Sequence, residues 1–307
     1  MNILCFVVLL GFIVPASIAN AVVISSNESK FKVGIDSLGN LYDTATGIGF
    51  LRTSDGYDPV QAGLGREAWG VAAGSVSGFV DLSSATNIIS AVPPIVTPHA
   101  ATISTVLNVG QERLLKIINA YMFAGTNIIK ITIQITNISH ENQHIWFSRN
   151  VNWNISPTPG FETITIPTFT SHIVQASFYG FESANPLDSF IASASQKGGI
   201  RGPDDLGAGI LLDLGSLSAG SDLSFNIFEA ISQNGQSEAN LRSQVQSLGA
   251  TFVISGVSAD LGGTNSAALG VSFDHGKPAK SINPVSTPSP PEPDSISSPS
   301  SSCALLH

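Results

Sequence analysis

The stretch GREAWG, residues 65–70, brings two opposite charges and an aromatic ring together between glycines. The face of Trp69 could stack on a sugar ring while Arg66 and Glu67 hydrogen-bond its hydroxyl groups. The same pattern is typical of a strand whose tryptophan is buried and whose charges are paired. We favour the buried interpretation and keep the sugar-binding platform as the alternative.

A second stretch, residues 148–158, alternates asparagines with larger side chains. If it forms a strand, Arg149 and Trp153 share one face, and Asn150, Asn152 and Asn154 share the other. The asparagine row could bind sugar hydroxyls or form a ladder on a solvent-facing sheet surface, and the ladder is the commoner arrangement. Arg149 is expected to stack on an aromatic ring or to pair with a carboxylate.

Carboxylates that could bind calcium occur at Asp204 and Asp205, and again at Asp260. Adjacent aspartates point in different directions, so a solvated turn is the favoured interpretation.

Glu229 lies in an apolar stretch that would raise its pKa, but a single carboxyl is not a catalytic pair. The sequence contains no nucleophile elbow, phosphate loop, dinucleotide fingerprint or histidine dyad on a regular element. We therefore expect no cofactor and no metal, and a non-enzymatic role is favoured.

The charge balance excludes a nucleic-acid partner. The chain has 13 basic and 22 acidic residues among its 307, a net charge of −9, and no basic cluster to pair with phosphates. Hydrophobic residues make up 43%, which excludes intrinsic disorder of the whole chain.

The first 21 residues have the pattern of a secretory signal peptide. Residues 3–14 form an apolar run that is too short to span a bilayer, and Pro15 ends it. Ala19-Asn20-Ala21 has the small-x-small pattern that signal peptidase accepts, so we expect cleavage after Ala21 and a secreted or cell-surface protein. No other stretch approaches 18 uninterrupted apolar residues, so no stable membrane span is expected in the mature chain.

The residues after about position 277 have the composition of a flexible tail. Residues 281–302 contain 6 prolines and 9 serines, too little apolar surface to offset the entropy of ordering. Within this segment, Pro291-Glu292-Pro293 resembles the bacterial PEP-CTERM sorting signal. In that family the triplet precedes a hydrophobic helix and a basic cluster, whereas here serine-rich residues follow, so the resemblance implies a degenerate or truncated signal.

The region between these two ends predicts a β-protein. Isoleucines at 129, 131, 133 and 135 alternate with polar residues, which indicates a half-buried antiparallel strand, and residues 114–123 with a turn at 125–127 complete a hairpin. Further strands are predicted at residues 31–35, 40–42, 145–155, 162–166, 172–178, 209–214, 224–231, 251–255 and 267–273. One short helix is predicted near residues 237–248, capped by Ser237 and ended by Gly249. We expect a large antiparallel β-sandwich over residues 22–276, between the signal peptide (1–21) and the tail (277–307).

Several blocks together resemble a family of uncharacterised secreted bacterial β-sandwich proteins that often carry PEP-CTERM tails. The matching blocks are residues 33–36, 65–78, 148–166, 185–187, 202–207, 217–220 and 225–227. The family has no established activity to carry over. Where it is expected to have Asp-Trp-Asp, this chain has Asn152-Trp153-Asn154, so any metal or catalytic role of those acids would be lost here. The strand pattern is also similar to the supersandwich of mutarotase-like and carbohydrate-active proteins, a likeness of fold only.

Three functional hypotheses follow. The leading one is an exported, non-catalytic protein of the cell surface or extracellular matrix of a Gram-negative bacterium. The second is a carbohydrate-binding or carbohydrate-active protein that contacts extracellular polysaccharide. Its speculative ligand-binding residues are Arg66, Glu67, Trp69, Arg149, Asn152 and Trp153. The third is a calcium-stabilised adhesin that uses the aspartates at 204, 205 and 260.

Overall fold

The structure, a computed structural model, describes residues 22–61, 66–81, 84–169, 172–188, 198–259 and 265–273. The predicted signal peptide and the predicted tail lie outside the described residues. In the described ranges the chain forms antiparallel sheets and one α-helix, which confirms the predicted fold class of a large antiparallel β-sandwich with one short helix.

The strands follow one another in a long antiparallel series. In chain order they are β1 (Val22–Ser25), β2 (Phe31–Ile35), β3 (Phe50–Arg52), β4 (Arg66–Ala73), β5 (Val76–Asp81), β6 (Ser84–Thr86), β7 (Ile88–Thr97), β8 (Ala100–Val109), β9 (Glu112–Phe123), β10 (Ile128–Asn137), β11 (Gln143–Asn152), β12 (Glu162–Ile166), β13 (Ile173–Ser177), β14 (Gly199–Asp204), β15 (Gly207–Leu217), β16 (Asp222–Ile231), β17 (Phe252–Ser258) and β18 (Ser266–Phe273). The helix α1 (Glu238–Ser247) lies between β16 and β17, and a short 3₁₀ helix (Asn27–Ser29) follows β1.

Two large sheets form the sandwich. The nine-stranded sheet has the order β14-β12-β17-β18-β16-β10-β9-β8-β7, and the six-stranded sheet has the order β13-β15-β11-β4-β5-β6. A three-stranded sheet, β1-β2-β3, adds to one side. The inner faces of the two large sheets share one hydrophobic core, to which the small sheet also contributes.

The predicted hairpin of β9 and β10 shows why the sheets face each other as they do. Ile129, Ile131, Ile133 and Ile135 are all fully buried, and the polar residues between them are partly exposed. Because side chains alternate across a strand, this period of two turns one face of β10 into the core. Each such isoleucine contributes about 1.5–3 kcal/mol of burial free energy.

Helix α1 covers part of the outer face of the nine-stranded sheet, as its sequence predicts. The Ser237 hydroxyl accepts a hydrogen bond from the backbone N–H of Asn240 at 3.3 Å and caps the first turn. Leu241 and Val245 are fully buried in a second, smaller hydrophobic cluster that contains Phe228 of β16. Gly249 has a φ of +100°, the left-handed conformation that glycine adopts after a helix.

One predicted strand, residues 40–42, is wrong. The carboxylate of Asp36 accepts hydrogen bonds from the backbone N–H groups of Leu38 and Asn40, at 2.8 and 2.9 Å, and so holds a tight turn. The chain then enters the core, where the Leu41 N–H reaches a buried carboxylate, instead of returning along β2. The other predicted strands are present, with ends shifted by a few residues.

Candidate functional site

Both tryptophans proposed as sugar platforms lie in the core of the sandwich. Trp69 on β4 is 0% exposed and Trp153, just after β11, is 2% exposed. The Trp69 ring stacks on Phe147 with centroids 6.2 Å apart, and its Nε1 donates to the Leu38 carbonyl at 3.2 Å. Neither ring offers a face to a ligand in solution, so the buried interpretation of Trp69 is confirmed and the sugar-binding platform loses its support.

Arg149 is the centre of an ion cluster that lies between the two large sheets. The Arg149 Nε donates a hydrogen bond to Oε1 of Glu229 at 2.7 Å. The Arg149 Nη2 lies 2.9 Å from Oε1 of Glu67 and forms an ion pair with it, but the angles at this contact do not meet those of a hydrogen bond. Glu67 and Arg149 come from β4 and β11 of the six-stranded sheet, whereas Glu229 comes from β16 of the opposite sheet. The prediction that Arg149 pairs with a carboxylate is confirmed, and the pair joins the two layers.

The electrostatics of this ion cluster favour one proton shared among its acids. All three side chains are buried, and with both carboxylates ionised the cluster would carry a net charge of −1. Burial raises the pKa of Glu67 to about 8. The positive charge of Arg149 acts to lower this pKa, and the nearby Glu229 carboxylate acts to raise it further. Burial also raises the pKa of Glu229, although Arg149 opposes it. A neutral Glu67 beside an Arg149–Glu229 ion pair is therefore the arrangement that costs least in a dry core.

The turn at residues 36–41 closes one side of the ion cluster with its backbone. The Leu41 N–H donates to Oε2 of Glu67 at 2.7 Å, and the Tyr121 hydroxyl donates to the Gly39 carbonyl at 2.5 Å. Gly39 has a φ of +92°, and a Cβ there would lie 2.8 Å from the Tyr121 hydroxyl. The turn therefore fits against the polar groups of the ion cluster only with glycine at this position.

Several buried polar atoms around the ion cluster have no hydrogen-bond partner. They are Nη1 and Nη2 of Arg149, Oε1 of Glu67 and both amide atoms of Asn119, a residue on β9 of the nine-stranded sheet. The guanidinium repels cations, and the ion cluster is closed to solvent on the sides formed by β4, β9, β11 and β16. The ion cluster therefore serves to hold the two sheets together, and we assign no catalytic role to its side chains.

The asparagine row of β11 is not on a solvent-facing surface, so that prediction is wrong. Asn150 and Asn152 are buried beneath a covering segment, residues 178–188, which crosses the outer face of the six-stranded sheet. The Asn150 Nδ2 donates to the carbonyls of Glu182 and Ser183 at 3.1 and 3.0 Å. The Asn150 amide binds the chain's own backbone, the Asn152 amide contacts the Asp205 carboxylate, and neither side chain is exposed to a sugar.

Glycines allow the covering segment to approach the sheet at backbone distance. A Cβ on Gly70 would lie 2.0 Å from the Ala184 carbonyl oxygen, and one on Gly180 would lie 2.2 Å from the Val151 carbonyl oxygen. The Ser148 hydroxyl donates to the same Ala184 carbonyl at 2.5 Å. Within the segment the buried residues alternate, with Glu182, Ala184 and Pro186 turned to the sheet.

Replacing Gly70 with alanine is expected to destabilise the fold by about 1–3 kcal/mol, because the new methyl group collides with the covering segment. Urea unfolding measures the change. Gly125→Ala is the matched control, since a Cβ there meets nothing within 4 Å and its φ is ordinary. Equal midpoints for the two variants would show that residues 178–188 do not pack on β4 as described.

The remaining predicted site residues do not join these groups into a binding site. Arg66 begins β4 opposite Asn152, and its side chain lies outside the described part of the chain. Asp204 and Asp205 are exposed, and the Asn152 Nδ2 donates to Oδ1 of Asp205 at 3.4 Å. Asp260 lies outside the described residues. In the described ranges no three His, Cys, Asp or Glu side chains are grouped to hold a metal ion.

Sequence reasoning missed the partners that complete the ion cluster. Tyr121 and Asn119 come from the strand next to β10, and Asp36 holds the turn that closes it. A polar residue at an inward position of an otherwise apolar strand is a usable signal, and it holds for Asn119 between Ile117 and Tyr121. The same signal picked out Glu229, but it does not identify Arg149 on the facing sheet as the partner.

Comparisons with known proteins identify one structure with a distant similarity and no family. No protein-family model matches the chain, and no curated protein matches it at a significant level. Among solved structures, it is similar to a galactose mutarotase-like protein from Lactobacillus casei ATCC 334, with 12% identity over 84% of this chain and 91% of that chain. The TM-score is 0.37, so the likeness assigns neither a ligand nor an activity to this chain.

No helix in the described ranges has the length and apolar character needed to cross a bilayer.

Proposed function

We propose that this chain is an exported β-sandwich protein that acts at the cell surface or in the extracellular matrix of a Gram-negative bacterium without catalysing a reaction. The observation that carries the proposal is the use of Arg149, Glu67 and Glu229. Glu67 and Glu229 are buried carboxyls with raised pKa values, and both are paired with Arg149 in the core. A protein that commits these groups to cohesion works through its surface.

Export is supported by the leader pattern. The apolar run of residues 3–14 ends at Pro15, and Ala19-Asn20-Ala21 follows with the small-x-small pattern that signal peptidase accepts. The proline-rich residues 281–302, with the Pro291-Glu292-Pro293 triplet, have the composition of a tail that holds a domain away from an attachment point.

Expression of the full chain in a Gram-negative host is expected to yield a protein outside the cytoplasm whose first residue is Val22. Cell fractionation followed by mass spectrometry of the N-terminal peptide measures both features. A Leu9→Arg variant, which breaks the apolar run, is the control and should remain in the cytoplasm with Met1 in place. Recovery of the unaltered chain in the cytoplasm with Met1 intact would contradict the proposal.

A further inference from the structure

A hollow of about 550 Å³ lies between residues 233–236 and helix α1 on the outer side of the nine-stranded sheet. Its lining consists of uncharged polar residues and one glycine: Gln233, Asn234, Gly235, Gln236, Asn240, Ser243, Gln244 and Ser247. The hollow is shallow and open to solvent rather than enclosed. No residue of the ion cluster or of the covering segment lines this hollow.

The amides at the base of the hollow are held in place by one another. Asn127, which is 1% exposed, donates from Nδ2 to the Ile231 carbonyl at 2.7 Å and to Oε1 of Gln236 at 3.1 Å. Oε1 of Gln236 also accepts from the backbone N–H of Gln233 at 2.9 Å. Nε2 of Gln236 then donates to Oε1 of Gln244 at 2.7 Å. A chain of amides that starts from a buried residue fixes the orientation of the Gln244 side chain.

This network leaves defined groups for a ligand. With its Oε1 engaged, Gln244 has its amide N–H groups left to donate, and Asn240 can both donate and accept through its side chain. The hydroxyls of Ser243 and Ser247 donate to helix carbonyls, so their oxygens remain as acceptors. Part of the cost of ordering these side chains on binding is already met in the free protein.

The lining determines the class of ligand that suits the hollow. It offers donors and acceptors side by side, as the hydroxyl groups of a sugar do, and no ionised side chain among the lining residues to pair with a charged ligand. An apolar ligand would leave the amides unpaired, at a cost. We propose that this hollow binds a neutral polysaccharide. The choice of polysaccharide as the source of hydroxyl groups rests on the proposed extracellular location, whereas the site itself rests on the geometry.

Affinity electrophoresis of the purified full chain in gels that contain dextran, galactan, mannan or xylan tests the proposal, with dextran sulfate as the charged counterpart of dextran. We expect retardation by at least one neutral polymer, and an increase in Kd of about tenfold in the Asn240→Ala/Gln244→Ala double variant. Gln246→Ala, an exposed glutamine of the same helix outside the hollow, is the matched control and should bind like the parent chain.

Three results would overturn the assignment: no retardation by any of the four neutral polymers, retardation by dextran sulfate alone, or unchanged binding by the double variant. Both replacements are to alanine on an exposed helix face and favour the helix, so loss of folding does not explain a loss of binding. Because binding is measured on purified protein, its failure is distinct from a failure of export, which the N-terminal residue reports.

Discussion

Replacing Arg149 with methionine is expected to reduce the free energy of unfolding by about 3–5 kcal/mol, a large part of the stability of an ordinary domain. Methionine fills much of the same space, but it leaves Glu229 and Glu67 buried without their cation. The cost is that of uncompensated charge in the core rather than of lost packing. Urea unfolding followed by tryptophan fluorescence measures it, since Trp69 and Trp153 are both buried.

The matched control for this variant is Arg113→Met. Arg113 is an exposed arginine of β9, and its replacement should change the free energy of unfolding by less than about 0.5 kcal/mol. A small effect at both positions would show that Arg149 does not hold the two sheets together.

Stability is expected to fall as the pH rises through the pKa of Glu67. The pKa of this side chain is raised from 4.5 to about 8 in the folded chain, so the folded state binds the proton more tightly than the unfolded state does. The resulting contribution is complete below about pH 4.5 and is lost as the pH rises through about 8. A shift of this size corresponds to on the order of 5 kcal/mol of stability across that window.

The groups around Glu67 support the sign of this prediction. Arg149, Glu229, Tyr121 and Asp36 face it from the neighbouring strands and from the turn at residues 36–41. Burial raises the pKa values of Glu229 and Asp36 as well, so their contributions also weaken as the pH rises. Arg149 and Tyr121 keep their protons throughout, because the pKa of each is raised above its ordinary value.

Unfolding curves at about pH 5.5 and about pH 8.5 test the pH dependence. Glu67→Gln is the informative variant, because glutamine is shaped like the neutral acid and can still accept the hydrogen bond from the Leu41 N–H. We expect this variant to have a much smaller difference in stability between the two pH values than the parent chain. A parent chain that is more stable at pH 8.5 would place an ionised Glu67 in the core and contradict the assignment.

Local patterns predicted the helix and the strands with clear apolar alternation, for physical reasons that individual residues illustrate. The alternating isoleucines of β10 and the spacing of Leu241 and Val245 on α1 each match one structural period. The strand predicted at residues 40–42 is absent, because Asp36 and Gly39 promote a turn without determining where the chain goes next. The strands that were not predicted include β7, at the edge of the nine-stranded sheet, and β8 beside it. Pro93 and Pro94 interrupt the apolar pattern of β7, and small polar residues interrupt that of β8.

Long-range partners of the candidate site could not be predicted in the same way. Arg149 and Glu229 are 80 residues apart, and nothing in the sequence gives the register that places them on facing strands. The asparagines of β11 were expected in solvent because a strand's period shows only that two faces differ. It does not show that residues 178–188 return to cover the polar one.

The measurement that tests the central claim most directly is the stability of a chain in which the whole ion cluster is replaced at once. In the triple variant Glu67→Gln/Arg149→Met/Glu229→Met no charge remains buried at these three positions, and the Leu41 N–H keeps an acceptor. If the ion cluster serves cohesion, the triple variant should unfold cooperatively and recover most of the stability that Arg149→Met alone loses, coming within about 2 kcal/mol of the parent chain. A triple variant as unstable as Arg149→Met would contradict the claim.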